Sequence, residues 1–145
     1  MANSGSAENK PQSRREERQQ ALGFLFERLF RDDSADEVFE DALEARDERI
    51  SSYAKRVVNG VEEHLAEIDE KIEAALKGWK KNRISKVSLT ILRIAVYEML
   101  YIDKVPVGVS INEAVELAKS YATPEDASFV NGVLGTVAKD VKKKE

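Results

Sequence analysis

Residues 87–102 read Val-Ser-Leu-Thr-Ile-Leu-Arg-Ile-Ala-Val-Tyr-Glu-Met-Leu-Tyr-Ile, an apolar run interrupted only by Ser88, Thr90, Arg93 and Glu98. A membrane span needs roughly 18 uninterrupted apolar residues, so these interruptions assign the run to the protein interior. A helix that is apolar almost all round is one that other helices surround. Arg93 and Glu98 are costly to bury unpaired, and each is expected to find a partner within the bundle.

Working outward, Lys104 to Pro106 breaks the central helix, and the helical pattern resumes from Ile111 to Ala122. Ile111, Ala114, Val115, Leu117, Ala118 and Tyr121 share one side of that segment. Thr123-Pro124-Glu125-Asp126 then supplies a cap, a proline at the first position and acids in the first turn. The last helix carries Val130, Val133, Leu134, Val137 and Val141 inward. On the other side of the central run, Ile50, Ala54, Val57, Val61, Leu65, Ile68, Ile72 and Ala75 step by three or four. That spacing predicts one long amphipathic helix or two in tandem, with an acidic outer face and an end at Gly78 and Trp79. A short helix is expected over Ala35–Ala45. Ser13 and Glu16 form a capping box before a helix of about Arg14–Phe30, whose Leu22, Leu25, Phe26, Leu29 and Phe30 recur at helical spacing. Residues 1–12 have nothing to bury and read as a disordered tail, which leaves 13–145 as one helical domain.

Composition agrees. With 145 residues, 42% of them apolar, and only seven Gly and three Pro, the chain suits one all-α domain with a real core. Without cysteine, disulfides, thiolate metal sites and thiol nucleophiles are excluded. The polar N-terminus lacks the apolar core of a signal peptide, so a soluble, cytoplasmic protein is expected. The net charge of −4 is unevenly spread: residues 32–73 hold fifteen acids against five bases, and the rest hold twelve against eighteen. A molecule acidic on one part and basic on another can bind a polyanion despite its net charge.

Catalytic chemistry has little to use. His64 is the sole histidine, placed among acids on the outward side of its helix, and the sequence has no HExxH motif, phosphate-cradling glycine loop or nucleophile elbow. Neither an enzyme nor a cofactor is expected. Arg14, Arg15 and Arg18 are more informative, because positive charge at a helix start opposes the helix dipole and local stability does not explain it. Guanidinium forks suit phosphates and base edges, so the cluster reads either as an RNA contact or as plain surface charge. Phe129, one step off the last helix's apolar stripe, either stacks on an unpaired base or makes a peripheral core contact. Phe24, also off its stripe, either packs on another helix or marks a partner surface.

The motifs occur together in an order that resembles the NusB family of transcription antitermination factors. They are Arg14-Arg15-x-x-Arg18 with Ala21 and Leu25-Phe26, then Trp79-x-x-x-Arg83-Ile84, then Ile91-Leu92-Arg93-Ile94-Ala95-Val96-Tyr97-Glu98, and Val105-Pro106. Ile111-Asn112-Glu113-Ala114-Val115-Glu116-Leu117-Ala118-Lys119 and Phe129-Val130-Asn131-Gly132-Val133-Leu134 complete the set and are the most specific. The resemblance, over about residues 13–141, implies two three-helix subdomains packed roughly perpendicular, no cofactor and no catalysis. It implies binding to single-stranded boxA RNA of nascent ribosomal RNA transcripts together with NusE, the ribosomal protein that doubles as a Nus factor. RNA polymerase in an elongation complex with other Nus factors is the wider partner; a homodimer that hides the RNA face stands as an alternative state. Carried over by motif, Arg14, Arg15 and Arg18 contact RNA, Phe26 holds a position usually aromatic, and Phe129 meets a base. Ser128 and Gly135 stand where the family usually has Lys and Asp, which removes one expected phosphate contact. The alternative is a non-catalytic interaction module of the kind fused to ribosomal RNA cytosine methyltransferases. No methyltransferase sequence follows Glu145, so the stand-alone factor is expected.

Overall fold

In a computed structural model, which describes residues 12–78 and 83–141, the chain forms seven helices among the described residues. They are α1 (Arg14–Arg28), α2 (Ala35–Arg46), α3 (Ser52–Glu63), α4 (Leu65–Ala75), α5 (Lys86–Tyr101), α6 (Val107–Tyr121) and α7 (Pro124–Ala138). The tail expected over 1–12, apart from Gln12, and the Trp79 expected at a helix end lie outside the described residues.

Local chemistry sets the helix starts. Ser13, Ser34, Ser51, Ser85 and Thr123 each accept, through the side-chain hydroxyl, the backbone N–H three residues on, satisfying a donor the helix leaves orphaned. Glu16, Glu37 and Asp126 return the bond and complete capping boxes for α1, α2 and α7. At the end of α4 the chain turns through left-handed Lys77 and Gly78, the latter at φ 98, where glycine has no Cβ to clash.

The segment 50–75 resolves into two helices, with His64 at φ −111 and ψ 25 closing α3 and opening α4. His64 is half-buried, and its ring stacks on Tyr101 at 4.1 Å between centroids and faces Tyr97 at 6.5 Å. Three residues after Val61 and seven after Val57, it falls beside the apolar stripe, and the outward position expected for it gave too much weight to its acidic neighbours Glu62 and Glu63. Helix α1 likewise stops at Arg28, two residues short of the expected end, and leaves Leu29 and Phe30 exposed at 40% and 61%. Phe24 packs on α2, edge-on to Phe39 with centroids 5.2 Å apart.

Helix α5 packs against α1, α3, α4, α6 and α7. Ile91, Leu92, Ile94 and Met99 are nearly or fully buried, each contributing about 1.5–3 kcal/mol through removal from water. Helices α1, α2 and α3 gather on one side of it, while α4 and α6 pack on α7 on the other, the bipartite arrangement expected. No helix among the described residues is long and apolar enough to cross a membrane. Arg93 holds Asp69 of α4 through a two-bond fork at 2.9 Å, as its interior position required.

Gly23 gives a simple check of the α1 surface. It is exposed in mid-helix, and a Cβ there would meet nothing within 4 Å. Gly23→Ala is expected to raise the unfolding free energy by about 0.5–1 kcal/mol, since glycine weakens helix interiors by that amount. Urea titration of both proteins measures it, and a loss of stability would reveal a neighbour on that face.

Candidate nucleic-acid interface

The three arginines at the start of α1 have three different environments. Arg14 is half exposed, pairs with Glu17 at 3.0 Å and lies 3.7 Å from the centroid of the Tyr53 ring. Arg15 is the most open of the three. Its Nε and Nη2 donate to the two carboxylate oxygens of Glu113 on α6, both at 2.9 Å, and its side chain stays 56% exposed. Those hydrogen bonds, with the charge of the opposite partner, hold the Arg15 guanidinium above its usual pKa and the Glu113 carboxyl below the usual carboxylate range.

Arg18 is buried, with 4% of its surface exposed, so the expectation that it meets RNA is revised. Its Nε donates to Glu98 Oε2 at 2.8 Å, deep beneath α1. The same oxygen accepts Tyr53 OH at 2.5 Å, and Glu98 Oε1 accepts Ser110 Oγ at 2.9 Å. Burial opposes the Arg18 charge more than any other influence, but the Glu98 hydrogen bond and charge together outweigh it and raise the pKa. Burial, followed by the Glu98 charge, also pushes the Tyr53 phenol up, which keeps it a donor. The reason for the revision is helical spacing. Arg18, Leu22 and Leu25 lie at i, i+4 and i+7, so the inward stripe begins at Arg18, one turn before its first leucine.

Helix α6 links the parts of this surface. On its α1 side, Arg15, Gln19, Glu113, Glu116, Leu117 and Ser120 line a small cleft of about 110 Å³. On its α7 side, Asn112, Val115, Lys119, Pro124, Ala127, Ser128 and Asn131 line a larger open groove of about 590 Å³. Phe129, the neighbour of Ser128, is partly buried against the core at the edge of α7. The arginine tip and the α7 groove are therefore separated by roughly the 10 Å width of one helix. Phe26 lies elsewhere. Eleven residues beyond Arg15, it is about 16 Å further along α1, where it meets Phe30 edge-on at 5.2 Å.

Motif reading assigned no role to Glu113, Asn112, Lys119 or Asn131, although the last two specific motifs contain them. The available signal was an acid within a specific motif of a chain whose start is rich in arginine. Its partner is 98 residues away, a pairing that spacing does not reveal.

Fold and surface define the class first: a small all-helical protein whose polar features are forked arginine–carboxylate pairs beside open grooves, suited to holding a partner. A model of the NusB family matches residues 15–139, and the chain belongs to that family. It is 47% identical over 128 residues to the transcription antitermination protein NusB of Acetivibrio thermocellus, covering 87% of this chain and 88% of that one. The Clostridium novyi (strain NT) protein of the same name is 40% identical over 131 residues, 88% of this chain and 98% of the relative. Among solved structures, T. maritima NusB superposes with a TM-score of 0.78 at 35% identity, covering 90% of this chain and 94% of that one. A crystal structure of the antitermination factors NusB and NusE in complex with double-stranded RNA has a TM-score of 0.76 at 28% identity, covering 88% and 96%. Antitermination is a non-catalytic role, in keeping with the reading of this chain as no enzyme.

Proposed function

We propose that the protein binds single-stranded boxA-type RNA of nascent ribosomal RNA transcripts together with NusE, and helps RNA polymerase, in a complex with other Nus factors, resist termination. This places it in the cytoplasm, where those transcripts are made. The observation that carries the reading is the half-exposed Arg14–Arg15 pair at the start of α1, one helix width from the polar α6–α7 groove. Guanidinium forks take phosphates and base edges, and the groove's carboxamides match the edges of unpaired bases. Phe129 at the groove's margin offers a ring to a base, and Phe26 contributes from a separate stretch of α1. Arg18 serves from within, by fixing α1 to α5. The relative solved with NusE and RNA supports the same pair of partners.

Fluorescence anisotropy with a boxA-like oligonucleotide and a scrambled control, each with and without NusE, tests the proposal. Tighter binding of the boxA sequence, strengthened by NusE, is expected, and equal binding of both RNAs would leave only an electrostatic binder. Light scattering over a range of concentrations tests for a homodimer that hides the RNA face.

The salt dependence assigns the contacts. Each phosphate contact to a single strand contributes about 0.7 to the slope of log affinity against log salt. Arg14→Ala with Arg15→Ala should therefore lower the slope by about 1.4, and an unchanged slope would remove both residues from the interface. Arg18 is left out of this series because its replacement disturbs the interior.

A further inference from the structure

Glu113 is an acid on a surface proposed to bind a polyanion, and its charge alone works against that binding. The buried Arg18 guanidinium has Glu98, at 2.8 Å, as a closer partner, and the pair of Glu113 with half-exposed Arg15 contributes little to stability. Its geometry is specific. Both carboxylate oxygens are taken by one edge of the Arg15 guanidinium, while Arg18 Nη1 stands 3.9 Å away on the inner side. The Glu113 side chain is 18% exposed and cannot swing freely, whereas the Arg15 side chain remains 56% exposed while paired. The pair therefore does not mask the arginine. A guanidinium has five N–H donors; two point into Glu113, and the other three, on Nη1 and Nη2, form an edge that faces away from the carboxylate. Arg15 borders the cleft with Gln19 and Ser120.

We infer that Glu113 is a specificity-determining positioning residue for RNA: it fixes the direction of the free edge of Arg15, giving up some electrostatic affinity for one register on the strand. The inference rests on the proposed RNA-binding function. A loose arginine follows any phosphate, while a fork fixed in direction accepts only an acceptor at the matching place. Substituting glutamine breaks the fork, because an amide nitrogen then faces the guanidinium donors.

The test is anisotropy of the full chain with NusE, using the boxA-like and scrambled oligonucleotides on four proteins: parent, Glu113→Gln, Arg15→Ala and the double variant. Glu113→Gln should bind scrambled RNA at least as tightly as the parent, having lost a negative charge. Its ratio of boxA to scrambled affinity should fall about fivefold or more, the scale at which one bidentate contact discriminates. Arg15→Ala should lower the same ratio without touching the Arg18–Glu98 pair, so the inference does not hang on one variant. In the Arg15→Ala background, Glu113→Gln should change the ratio no further. An undiminished ratio in Glu113→Gln overturns the inference, as does an equal fall with and without Arg15. A rise in boxA affinity with the ratio intact would make Glu113 a lock on Arg15 and overturn it too. If the parent itself fails to prefer boxA, the RNA-binding reading falls first, and that result is distinct from the other three.

Discussion

Glu98→Ala is expected to lower the unfolding free energy by about 3–5 kcal/mol, the usual consequence of removing one partner from a buried ion pair. Glu98 is 1% exposed and accepts from Arg18, Tyr53 and Ser110, so the substitution leaves a buried guanidinium and two hydroxyls without their acceptor. Arg18→Ala should cost less, because a stranded carboxylate can take up a proton while a guanidinium cannot shed one. Replacing both, as Arg18→Met with Glu98→Leu, should recover part of the loss, since no buried charge remains. Urea denaturation of the three variants decides this. A loss below about 1 kcal/mol for Glu98→Ala would mean that Arg18 reaches water.

Gly60→Ala is the second large effect, and its sign is opposite to that of Gly23→Ala. A Cβ on Gly60 would collide with Cζ, Cε1 and the hydroxyl of Tyr97, where α3 crosses α5. Tyr97 is 5% exposed and its ring stacks on Tyr101 at 5.4 Å, so it has little room to retreat. Overpacking of this kind costs about 1–3 kcal/mol, even though alanine is the better helix former. In a Tyr97→Ala background the collision disappears, and the same substitution should become neutral or stabilising. A measured loss of equal size in both backgrounds would trace the cost to the α3 backbone and not to Tyr97.

The two glycines show where reading along the chain stops. Both sit inside helices, and only the neighbour brought by another helix separates them. The arginines repeat the lesson. Arg14, Arg15 and Arg18 read as one cluster, yet α6 supplies Glu113 to one, α5 supplies Glu98 to another, and Tyr53 lies under the third. The burial of Arg18 was legible in part, through its place on the Leu22–Leu25 stripe, but that stripe only says inward and does not name the acid waiting there. The need of Arg93 and Glu98 for partners was legible in full, from the apolar run around them; Asp69 and Arg18 as those partners were not. His64 was misplaced because its acidic neighbours Glu62 and Glu63 outweighed its own spacing, three and seven residues after Val61 and Val57, which already sets it beside the apolar stripe.

Although α6 begins at Val107, four residues before the expected Ile111, the starts of α1, α2 and α7, the central place of α5, the all-helical class and the family motifs were determined by the sequence alone. Each depends on residues within a turn or two of one another, where capping bonds and side-chain spacing act directly. The tertiary structure alone decided which arginine faces solvent, which acid holds it, and that α6 lies between the arginine tip and the polar groove. Those outcomes depend on contacts between residues 80 to 98 positions apart, and only the packing of helices around α5 brings such residues into range.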